Sequence, residues 1–344
     1  MMHSQYANKG LSGLTNLGNT CFMNSCIQAL SHTYELSDFL NKRTYIKRLT
    51  PKCESVMLAE YDSLRRTMWS SNVIISPDRF FKNVQKVAKQ KGMTIFTEFS
   101  QNDFPEFFIF MVDCFHNAIA REVRMNIVGC EEHQENQLAM KCFEKIKQMY
   151  SHEYSEIWNL FYGMHISNLS TTDTDECISQ TPEPYFMIDL PMPVKLKAMD
   201  LMDCFNAYVA GELIDDVFNE KRNVKETVRK QIQFWSFPTI LVIGLKRFTN
   251  ANQKDQRIVA FPTDCLDLSA LVIGYKPETY KYELYAVCNH SGNVLGGHYT
   301  VFIKNANGKW YNMNDTKVVE VQPTILITPY AYCLFYRKKT MSNI

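Results

Sequence analysis

The sequence predicts an α+β protein in which a mainly helical lobe precedes a β-rich lobe. Two observations support this fold class. Apolar residues recur at helical spacing through the first half of the 344-residue chain, and short runs of β-branched and aromatic residues dominate from Tyr185 onward. With 46% hydrophobic and 13% aromatic residues, the chain can bury a large core, as one big domain or as two subdomains. We expect a functional cleft between the two lobes.

The first helix is predicted to begin near Cys21. Apolar residues repeat at helical spacing after this cysteine, Asn19 or Thr20 is a suitable N-cap, and Gly18 permits a turn that other residues disfavour. Further helical patterns cover residues 54–69, 77–90, 104–122 and 135–162. The first half of the chain is therefore expected to be mostly helical.

The strands are predicted in the second half of the chain, where the composition changes after Gly163. Residues 167–180 are rich in Ser, Thr and Asp, and four prolines follow between positions 182 and 193. This composition predicts loops and edge strands, because proline cannot donate a hydrogen bond within a sheet. Later strands are predicted at residues 239–243, 282–287, 298–303, 309–313 and 331–336.

The composition argues against several classes of protein. The formal net charge of +1 gives no overall field that would attract nucleic acid or an anionic membrane. No run approaches the ~18 to 20 apolar residues of a membrane span, and the first residues lack the apolar segment of a signal peptide. Eleven cysteines at scattered spacings argue against a disulfide framework. We expect an intracellular protein, cytoplasmic or nuclear, that is a monomer and binds neither nucleic acid nor membrane.

Cys21 is the candidate nucleophile. A free thiol with a pKa of about 8.5 is only a few per cent ionised at neutral pH, so a nucleophilic cysteine needs a helix N-terminus, a nearby histidine, or both. The predicted helix start supplies unpaired N–H groups and partial positive charge, which favour the thiolate and can hold an oxyanion. The alternative is a small buried hydrophobic residue, the role expected for most of the other ten cysteines.

His298 is the candidate base, and two residues are candidates for its partner. It follows two glycines and begins a predicted strand, which suits a base that approaches a nucleophile on the other lobe. The alternative is a structural histidine. A catalytic imidazole needs a hydrogen-bond acceptor that fixes its tautomer, and Asn or Asp serves in cysteine hydrolases. Asn314 and Asp315 end the predicted return strand of a hairpin, so one of them should lie beside His298, although Asn-Asp at a strand end is otherwise a plain turn.

Five segments occur in an order that is typical of one family. Residues 13–25 read GLTNLGNTCFMNS, and residues 289–300 read NHSGNVLGGHYT, followed by WY at 310–311 and ND at 314–315. The other three segments are 101–107 (QNDFPEF), 245–248 (LKRF) and 332–336 (YCLFY). Together they resemble the cysteine box, the histidine box and the further signatures of ubiquitin-specific proteases, a family of cysteine deubiquitinases. The resemblance spans about residues 10–337, nearly the whole chain.

The resemblance implies a papain-like cysteine protease architecture with a helical thumb, a β-rich palm and β fingers. The catalytic domain would cover residues 11–337. The expected parts are a short N-terminal extension (1–10), a thumb (about 11–160), fingers (about 161–235), a palm (about 236–337) and a C-terminal tail (338–344).

The resemblance also implies a role for each candidate catalytic residue. Cys21 is the nucleophile, His298 the base and Asn314 the third member of a triad. Asp315 is an auxiliary polar neighbour. Asn16 matches the side chain that stabilises the oxyanion, a contribution of ~3 kcal/mol in the transition state. The chemistry needs no cofactor.

Four residues match positions that bind the extended C-terminal tail of ubiquitin in this family. Asp103 and Glu106 match acidic residues that meet the arginines of the tail. Gly297 and Tyr299 match residues that line the narrow channel for its two glycines. Asp103 is also suited to be the N-cap of a helix opened by Pro105, so a structural role competes with the binding role.

The sequence departs from the family at the fingers. Many members carry two Cys-x-x-Cys pairs there that bind one structural zinc, but this chain has no Cys-x-x-Cys. The pairs would lie near 168–177, where only Cys177 remains, and near 218–225, which has no cysteine. Four thiolates are the usual requirement, so no zinc is expected. Packing and strand pairing alone would then hold the fingers together. The affinity for ubiquitin and the choice between ubiquitin and another modifier therefore stay open.

The expected function is that of a deubiquitinating cysteine protease. It would hydrolyse the (iso)peptide bond after the C-terminal glycine of ubiquitin, through an acyl-enzyme on Cys21. Its partners would be ubiquitin and ubiquitinated proteins. Two alternatives stay open: a catalytically weak scaffold that binds ubiquitin, and a protease for another ubiquitin-like modifier that ends in Gly-Gly.

Overall fold

The first lobe of the structure is helical. The structure is a computed structural model that describes residues 3–128, 134–249, 251–294 and 296–340. A short parallel pair of strands, β1 (Gly13–Leu14) and β2 (Ile74–Ile75), lies within this lobe. The helices are α1 (Cys21–Ser31), α2 (Tyr34–Asn41), α3 (Cys53–Ser70), α4 (Asp78–Gln90), α5 (Phe104–Ile119), α6 (Gln134–Glu153) and α7 (Glu156–Phe161).

The long helical pattern at residues 135–162 forms two helices rather than one. Ser155 separates α6 from α7 with an extended backbone at φ −144° and ψ 159°. Two contacts fix this break. The backbones of Tyr154 and Arg121 exchange hydrogen bonds of 2.8 and 2.9 Å, and the Ser155 hydroxyl lies 2.8 Å from Nδ1 of His116 on α5. The prediction of a single helix is wrong because contacts with a distant segment override the local pattern.

A four-stranded antiparallel sheet follows the helical lobe. Its strands are, in sequence order, β3 (Gly163–Thr171), β4 (Cys177–Tyr185), β7 (Glu212–Asn219) and β8 (Val224–Ser236), and they lie side by side in the order β4–β3–β8–β7. Between β4 and β7 the chain forms β5 (Met187–Pro191), β6 (Met199–Asp200) and α8 (Leu201–Val209). Pro182 and Pro184 lie on β4, an outer strand that needs hydrogen bonds on one side only. The predicted edge strand is therefore confirmed.

A larger sheet forms the second lobe. The strands that follow β8 in sequence all belong to this sheet except β10. They are β9 (Ile240–Lys246), β10 (Val259–Ala260), β11 (Leu266–Asp267), β12 (Lys281–Asn293), β13 (Gly296–Lys304), β14 (Trp310–Asn314), β15 (Lys317–Val321) and β16 (Ala331–Lys338). Within the described ranges the order is β15–β14–β13–β12–β16–β9–β5, and β11 pairs with β12 beside this path. Strands β6 and β10 form a separate parallel pair.

Strand β5 joins a sheet that its local sequence does not reveal. It lies inside residues 161–235, the segment expected to form the fingers, yet it pairs in parallel with β9 in the larger sheet. Helix α8 packs against β5. The chain therefore leaves the four-stranded sheet after β4, crosses to the larger sheet and returns at β7.

The larger sheet is buried on both faces. Side chains alternate along a strand, so Tyr299, Val301 and Ile303 of β13 join the core shared with the helical lobe. Phe302 joins a second core on the opposite face, which includes Phe205 of α8. Helix α1 packs directly on β13. The predicted α+β class is confirmed, and among the described residues no helix is long and apolar enough to cross a membrane.

Candidate active site

Cys21 is the first residue of α1 and is 5% exposed. The loop before it makes a tight turn, with Gly18 at φ 106° and Asn19 at φ 56°. The side-chain oxygen of Asn16 holds this turn by accepting hydrogen bonds from the backbone N–H of Gly18 (3.0 Å) and of Thr20 (3.1 Å). The predicted helix start and the predicted glycine turn are both confirmed. The thiol therefore lies at a helix N-terminus that the preceding loop fixes.

The surroundings of Cys21 favour the neutral thiol in the unliganded protein. Burial raises the pKa of Cys21, and the negative charge of Asp315 acts in the same direction. The backbone N–H of Tyr299 opposes this effect by donating a hydrogen bond to the sulfur. This contact also places the thiol next to the strand that carries His298. Among the described residues, however, no hydrogen bond joins the Cys21 sulfur to the His298 ring.

His298 is held by Asn314. Strands β13 and β14 form the predicted antiparallel hairpin, and Nε2 of His298 lies 2.8 Å from Oδ1 of Asn314. An amide oxygen can only accept, so Nε2 must carry the proton, which leaves Nδ1 with the free lone pair. The structure therefore brings together the two residues predicted as base and partner. It also resolves the sequence ambiguity, since the amide of Asn314, rather than the carboxylate of Asp315, contacts the ring.

Asp315 connects the two lobes. It lies in the β14–β15 turn at φ 49°, a left-handed conformation that Asp tolerates. Its carboxylate accepts hydrogen bonds from Nδ2 of Asn24 (2.7 Å) and from Nδ2 of Asn16 (3.1 Å). Its carbonyl oxygen accepts from the backbone N–H of Leu14 (2.8 Å). The carboxylate is thus shared between the helix that carries Cys21 and the loop before that helix.

Two residues at this junction were not singled out from the sequence. Asn24 is 2% exposed, and its position three residues after Cys21 places it on the same face of α1, which is the signal that could have identified it. Gly13 lies against the turn that follows Asp315. A Cβ atom at Gly13 would stand 2.3 Å from the carbonyl oxygen of Thr316, so only glycine lets the two segments approach this closely.

A cleft of about 340 Å³ lies between the lobes. All four residues predicted to bind substrate line it: Asp103, Glu106, Gly297 and Tyr299. The carboxylate of Asp103 accepts a 2.6 Å hydrogen bond from the Tyr299 hydroxyl, and the hydroxyl of Tyr332 lies 3.5 Å from its other oxygen. Asp103 occupies the N-cap position of α5, but its side chain makes no capping hydrogen bond. Burial raises the pKa of Asp103, which the Tyr299 hydrogen bond partly offsets.

The first two residues of β13, Gly296 and Gly297, lie against the side chain of Gln101. Oε1 of Gln101 accepts a 2.6 Å hydrogen bond from the backbone N–H of Gly297. A Cβ atom at Gly296 would stand 2.2 Å from that same oxygen, and one at Gly297 would stand 2.3 Å from Nε2 of His290. A Cβ atom at Gly297 would also stand 2.3 Å from the backbone oxygen of Ser291, so a side chain is sterically excluded there, whereas one at Gly296 would require the end of the Gln101 side chain to move. Gln101 belongs to a segment that the sequence singled out, but it was assigned no role there.

His290 lines the cleft. Its Nδ1 lies 3.1 Å from Nζ of Lys254, in the loop between β9 and β10. Burial, with a further contribution from the charge of Lys254, lowers the pKa of His290 to about 4. Burial and the charge of Arg247 lower the pKa of Lys254 to about 8. His290 is thus a neutral acceptor on β12 that holds the loop of Lys254 at the edge of the cleft.

A thiol at the start of a buried helix, with an imidazole held by an amide on the opposite lobe, is the arrangement of papain-like cysteine hydrolases. The family model described as ubiquitin carboxyl-terminal hydrolase matches residues 12–336, so the chain belongs to this family. The resemblance to ubiquitin-specific proteases is thereby confirmed.

Similar proteins support this assignment. The chain is 34% identical to ubiquitin carboxyl-terminal hydrolase 2 of Bos taurus over 353 residues, which cover 97% of this chain and 56% of that protein. It is 31% identical to ubiquitin carboxyl-terminal hydrolase 2 of Gallus gallus over 352 residues, covering 97% and 95%. The chain thus spans little more than half the length of the Bos taurus relative.

A solved structure has the same fold. A chain of the SAGA Ubp8/Sgf11/Sus1/Sgf73 DUB module bound to ubiquitin aldehyde superposes with a TM-score of 0.74 at 21% sequence identity. The superposition covers 99% of this chain and 72% of that chain. At this level of identity the likeness concerns the fold, and it confirms the papain-like α+β architecture.

Proposed function

We propose that this protein is a deubiquitinating cysteine protease that hydrolyses the (iso)peptide bond after the C-terminal glycine of ubiquitin. The observation that carries the proposal is the His298–Asn314 hydrogen bond at the start of the strand that also contacts the Cys21 sulfur. Family membership supplies the substrate class. Ubiquitin and ubiquitinated proteins are the proposed partners, and we propose that the protein acts as an intracellular monomer that binds neither nucleic acid nor membrane.

The reaction proceeds through an acyl-enzyme on Cys21. Nδ1 of His298 takes the thiol proton, and the sulfur attacks the carbonyl carbon of the terminal glycine. The imidazolium then gives the proton to the departing lysine amine, so the amine leaves neutral and the acyl group stays on sulfur. Water, deprotonated by His298, hydrolyses the thioester and regenerates the thiol. The chain itself supplies every group that these steps use.

Asn314 has the role of holding the imidazole in the productive tautomer. With Nε2–H bonded to its amide oxygen, Nδ1 keeps its lone pair free to accept a proton, and the amide also stabilises the imidazolium that forms. An amide performs this role without adding a negative charge beside the thiolate. We assign Asn314 as the third member of the triad on this basis.

Asn16 is the proposed side-chain donor to the oxyanion, and Asp315 orients it. One Nδ2 hydrogen of Asn16 is bonded to Asp315, and its Oδ1 is bonded to the turn before Cys21. These bonds fix the amide plane and leave the second Nδ2 hydrogen for substrate. A preorganised donor of this kind typically contributes ~3 kcal/mol in the transition state.

The cleft suits an extended tail that is basic and ends in two glycines. Asp103 and Glu106 supply negative charge on the helical side, which suits arginine side chains. Gly297 and Tyr299 line the cleft on the side opposite the helical lobe and make it narrow there. A side chain on either of the last two residues of the tail would therefore be excluded. We propose these four as the substrate-binding residues.

We propose the same division of the chain into parts as the resemblance implies. The thumb (about 11–160) corresponds to the lobe of α1–α7, and the palm (about 236–337) to the larger sheet. The fingers (about 161–235) correspond to the four-stranded sheet, with β5, β6 and α8 as an excursion to the palm. The flanking parts are an extension at 1–10 and a tail at 338–344.

One observation favours a second candidate, a ubiquitin-binding scaffold with weak catalysis. The thiol and imidazole share no hydrogen bond among the described residues, and burial raises the pKa of Cys21. Catalytic hydrogen bonds are often long in unliganded enzymes and tighten with substrate, so the protease is the better supported of the two.

Hydrolysis of ubiquitin carrying a C-terminal fluorogenic leaving group tests the proposal. Wild type should release the fluorophore, Cys21→Ala should be inactive, and Cys177→Ala should match wild type because Cys177 is exposed on the four-stranded sheet. Equal rates for wild type and Cys21→Ala would contradict the protease. Binding of ubiquitin by wild type without any hydrolysis would support the scaffold instead.

A further inference from the structure

The tip of the four-stranded sheet is where many members of the family carry a structural zinc, which the sequence of this chain is not expected to bind. The β3–β4 turn (172–176) and the β7–β8 turn (220–223) lie together at this end, since Thr171 is paired with Val228. The residues present do not fit the metal. Cys177 is the one cysteine of the two turns and their flanks, and among the described residues no group of three or more His, Cys, Asp or Glu side chains could hold a metal ion.

Arg222 instead bridges the two turns. Its Nη1 lies 3.0 Å from Oδ2 of Asp173 and 3.3 Å from Oε2 of Glu226, and its Nη2 lies 3.5 Å from Oε2 of Glu176. The Thr174 hydroxyl lies 3.2 Å from Nη2. One planar guanidinium thus contacts three carboxylates, two of which lie on the opposite turn. The Arg222 side chain is 30% exposed.

The neighbours of Arg222 hold it in this position. Asn219, 1% exposed, accepts hydrogen bonds through Oδ1 from the backbone N–H of Lys221 (3.0 Å) and of Arg222 (3.4 Å). Its Nδ2 donates to Glu226. Nζ of Lys221 then reaches the other turn, 3.3 Å from Glu176 and 3.0 Å from the carbonyl oxygen of Cys177. The cluster is therefore a connected network around a buried amide rather than a set of isolated surface pairs.

We propose that this ion-pair cluster replaces the structural zinc, and that Arg222 is a positioning residue that fixes the tip of the sheet for its contact with the body of ubiquitin. Contact between the fingers and the globular body of ubiquitin is what the family resemblance implies, and it rests on the proposed function. A Cys₄ zinc site would respond to chelators. A charge network responds to ionic strength, because salt screens exposed charges over about 8 Å under physiological conditions. The tip of this protein is accordingly sensitive to salt and insensitive to chelators.

Amide hydrogen exchange tests the structural part of the proposal without any reference to activity. Arg222→Gln should accelerate exchange several-fold at residues 171–176 and 219–226, because the two turns lose the cation that they share and open more often. Wild type in 1 M salt should show the same local loss of protection, and EDTA should change nothing.

The matched control is Lys225→Gln, which removes one positive charge from the same tip. Lys225 is exposed and forms no salt bridge among the described residues, so its variant should exchange like wild type. Equal exchange in Arg222→Gln and wild type would overturn the proposal. So would loss of protection on adding EDTA, because that would reveal a bound metal.

Kinetics test the positioning role. For ubiquitin with a fluorogenic leaving group, Arg222→Gln should raise KM several-fold with kcat unchanged, and Lys225→Gln should leave both unchanged. A short peptide with the sequence of the ubiquitin tail cannot reach the tip, so its hydrolysis should be equal in all three proteins. If Arg222→Gln lost the same fraction of activity on ubiquitin and on the short peptide, the positioning role would be overturned. If wild type cleaves neither substrate, the proposed function fails, and the exchange experiment still decides the cluster.

Discussion

At the scale of single residues, the contact between His298 and Asn314 determines what the site can do. The 2.8 Å hydrogen bond selects one tautomer and leaves Nδ1 with the free lone pair, so Nδ1 is the atom that we propose as the base. Asp315, the next residue, has a different task. It accepts from two asparagines, and its charge adds to burial, the larger cause, in raising the pKa of Cys21. Asn314 thus orients the imidazole of His298, whereas the neighbouring Asp315 acts on the pKa of Cys21.

Replacement of Asn314 tests the orienting role. Asn314→Ala should lower kcat/KM for a fluorogenic ubiquitin substrate by roughly 100-fold to 10,000-fold, because the ring loses the acceptor that fixes its tautomer. Asn314→Asp keeps an acceptor oxygen in the same place and should retain most of the activity. Equal losses in the two variants would show that the acceptor is not what matters.

Replacement of Asp315 tests the electrostatic role. Asp315→Asn removes the negative charge that raises the pKa of Cys21, so the pKa of the thiol should fall. Alkylation of Cys21 by iodoacetamide, followed by mass spectrometry across pH, measures this change. In wild type the midpoint should lie above the ordinary thiol value of about 8.5, and in Asp315→Asn it should shift to lower pH.

The control for this titration is Glu320→Gln, which removes a carboxylate from the adjacent strand β15, where it pairs with Lys309. It should leave the midpoint where wild type has it. A midpoint in Asp315→Asn that equals or exceeds that of wild type would contradict the assignment of the charge effect to Asp315.

At the scale of the elements, the site depends on how closely β1 approaches the β14–β15 turn. Gly13 leaves no room for a Cβ atom, and the backbone N–H of Leu14 is bonded to the carbonyl oxygen of Asp315. The turn is therefore fixed against the segment that leads to Cys21. Asn24 adds a second connection from α1 to the same carboxylate.

Gly13→Ala should disturb both stability and catalysis. The added methyl group forces the turn at Thr316 away from β1, at a cost of about 1–3 kcal/mol in the free energy of unfolding, measured by urea denaturation. The shift also moves Asn314 and Asp315, so kcat should fall. Gly92→Ala is the control for activity only: that glycine has nothing within 4 Å of its missing Cβ atom, but its φ of 70° means that alanine also strains the backbone there. Unchanged kcat in Gly13→Ala would contradict the positional argument.

The elements also indicate where sequence reasoning succeeds and where it stops. The start of α1 and the β13–β14 hairpin have local signals, a glycine turn and a strand pattern, and both were predicted. Helix α2 was missed because it has only eight residues and follows α1 after two residues, too short for a separate pattern. The sheet that β5 joins has no local signal, because pairing with β9 is a contact between distant segments.

The same distinction holds within the site. The sequence pattern selects Cys21 and His298 as candidates because each has glycine nearby and begins a predicted element. It left Asn314 and Asp315 as alternatives, since only the folded hairpin shows which side chain meets the ring. Gln101 and Asn24 act through partners more than 190 residues away in sequence, at Gly297 and Asp315, so spacing alone gives them no role.

At the scale of the whole molecule, function depends on the relation between the two lobes. The thiol belongs to the helical lobe and the imidazole to the larger sheet, and the cleft between them holds the acidic and glycine-lined positions. The tip of the four-stranded sheet is joined by charges, where many members of the family carry zinc. In the proposed function, the lobes provide the chemistry and the binding of the tail, and the tip provides a further contact with ubiquitin.

The central claim is that Cys21 is the nucleophile of a protease that recognises the C-terminus of ubiquitin. The most direct test is reaction with ubiquitin that carries a C-terminal electrophile, followed by mass spectrometry of the adduct. We predict a single ubiquitin attached to the peptide that contains Cys21, no adduct in Cys21→Ala, and normal labelling in Cys177→Ala. Absence of an adduct in wild type, or an adduct on another cysteine that persists in Cys21→Ala, would contradict the claim.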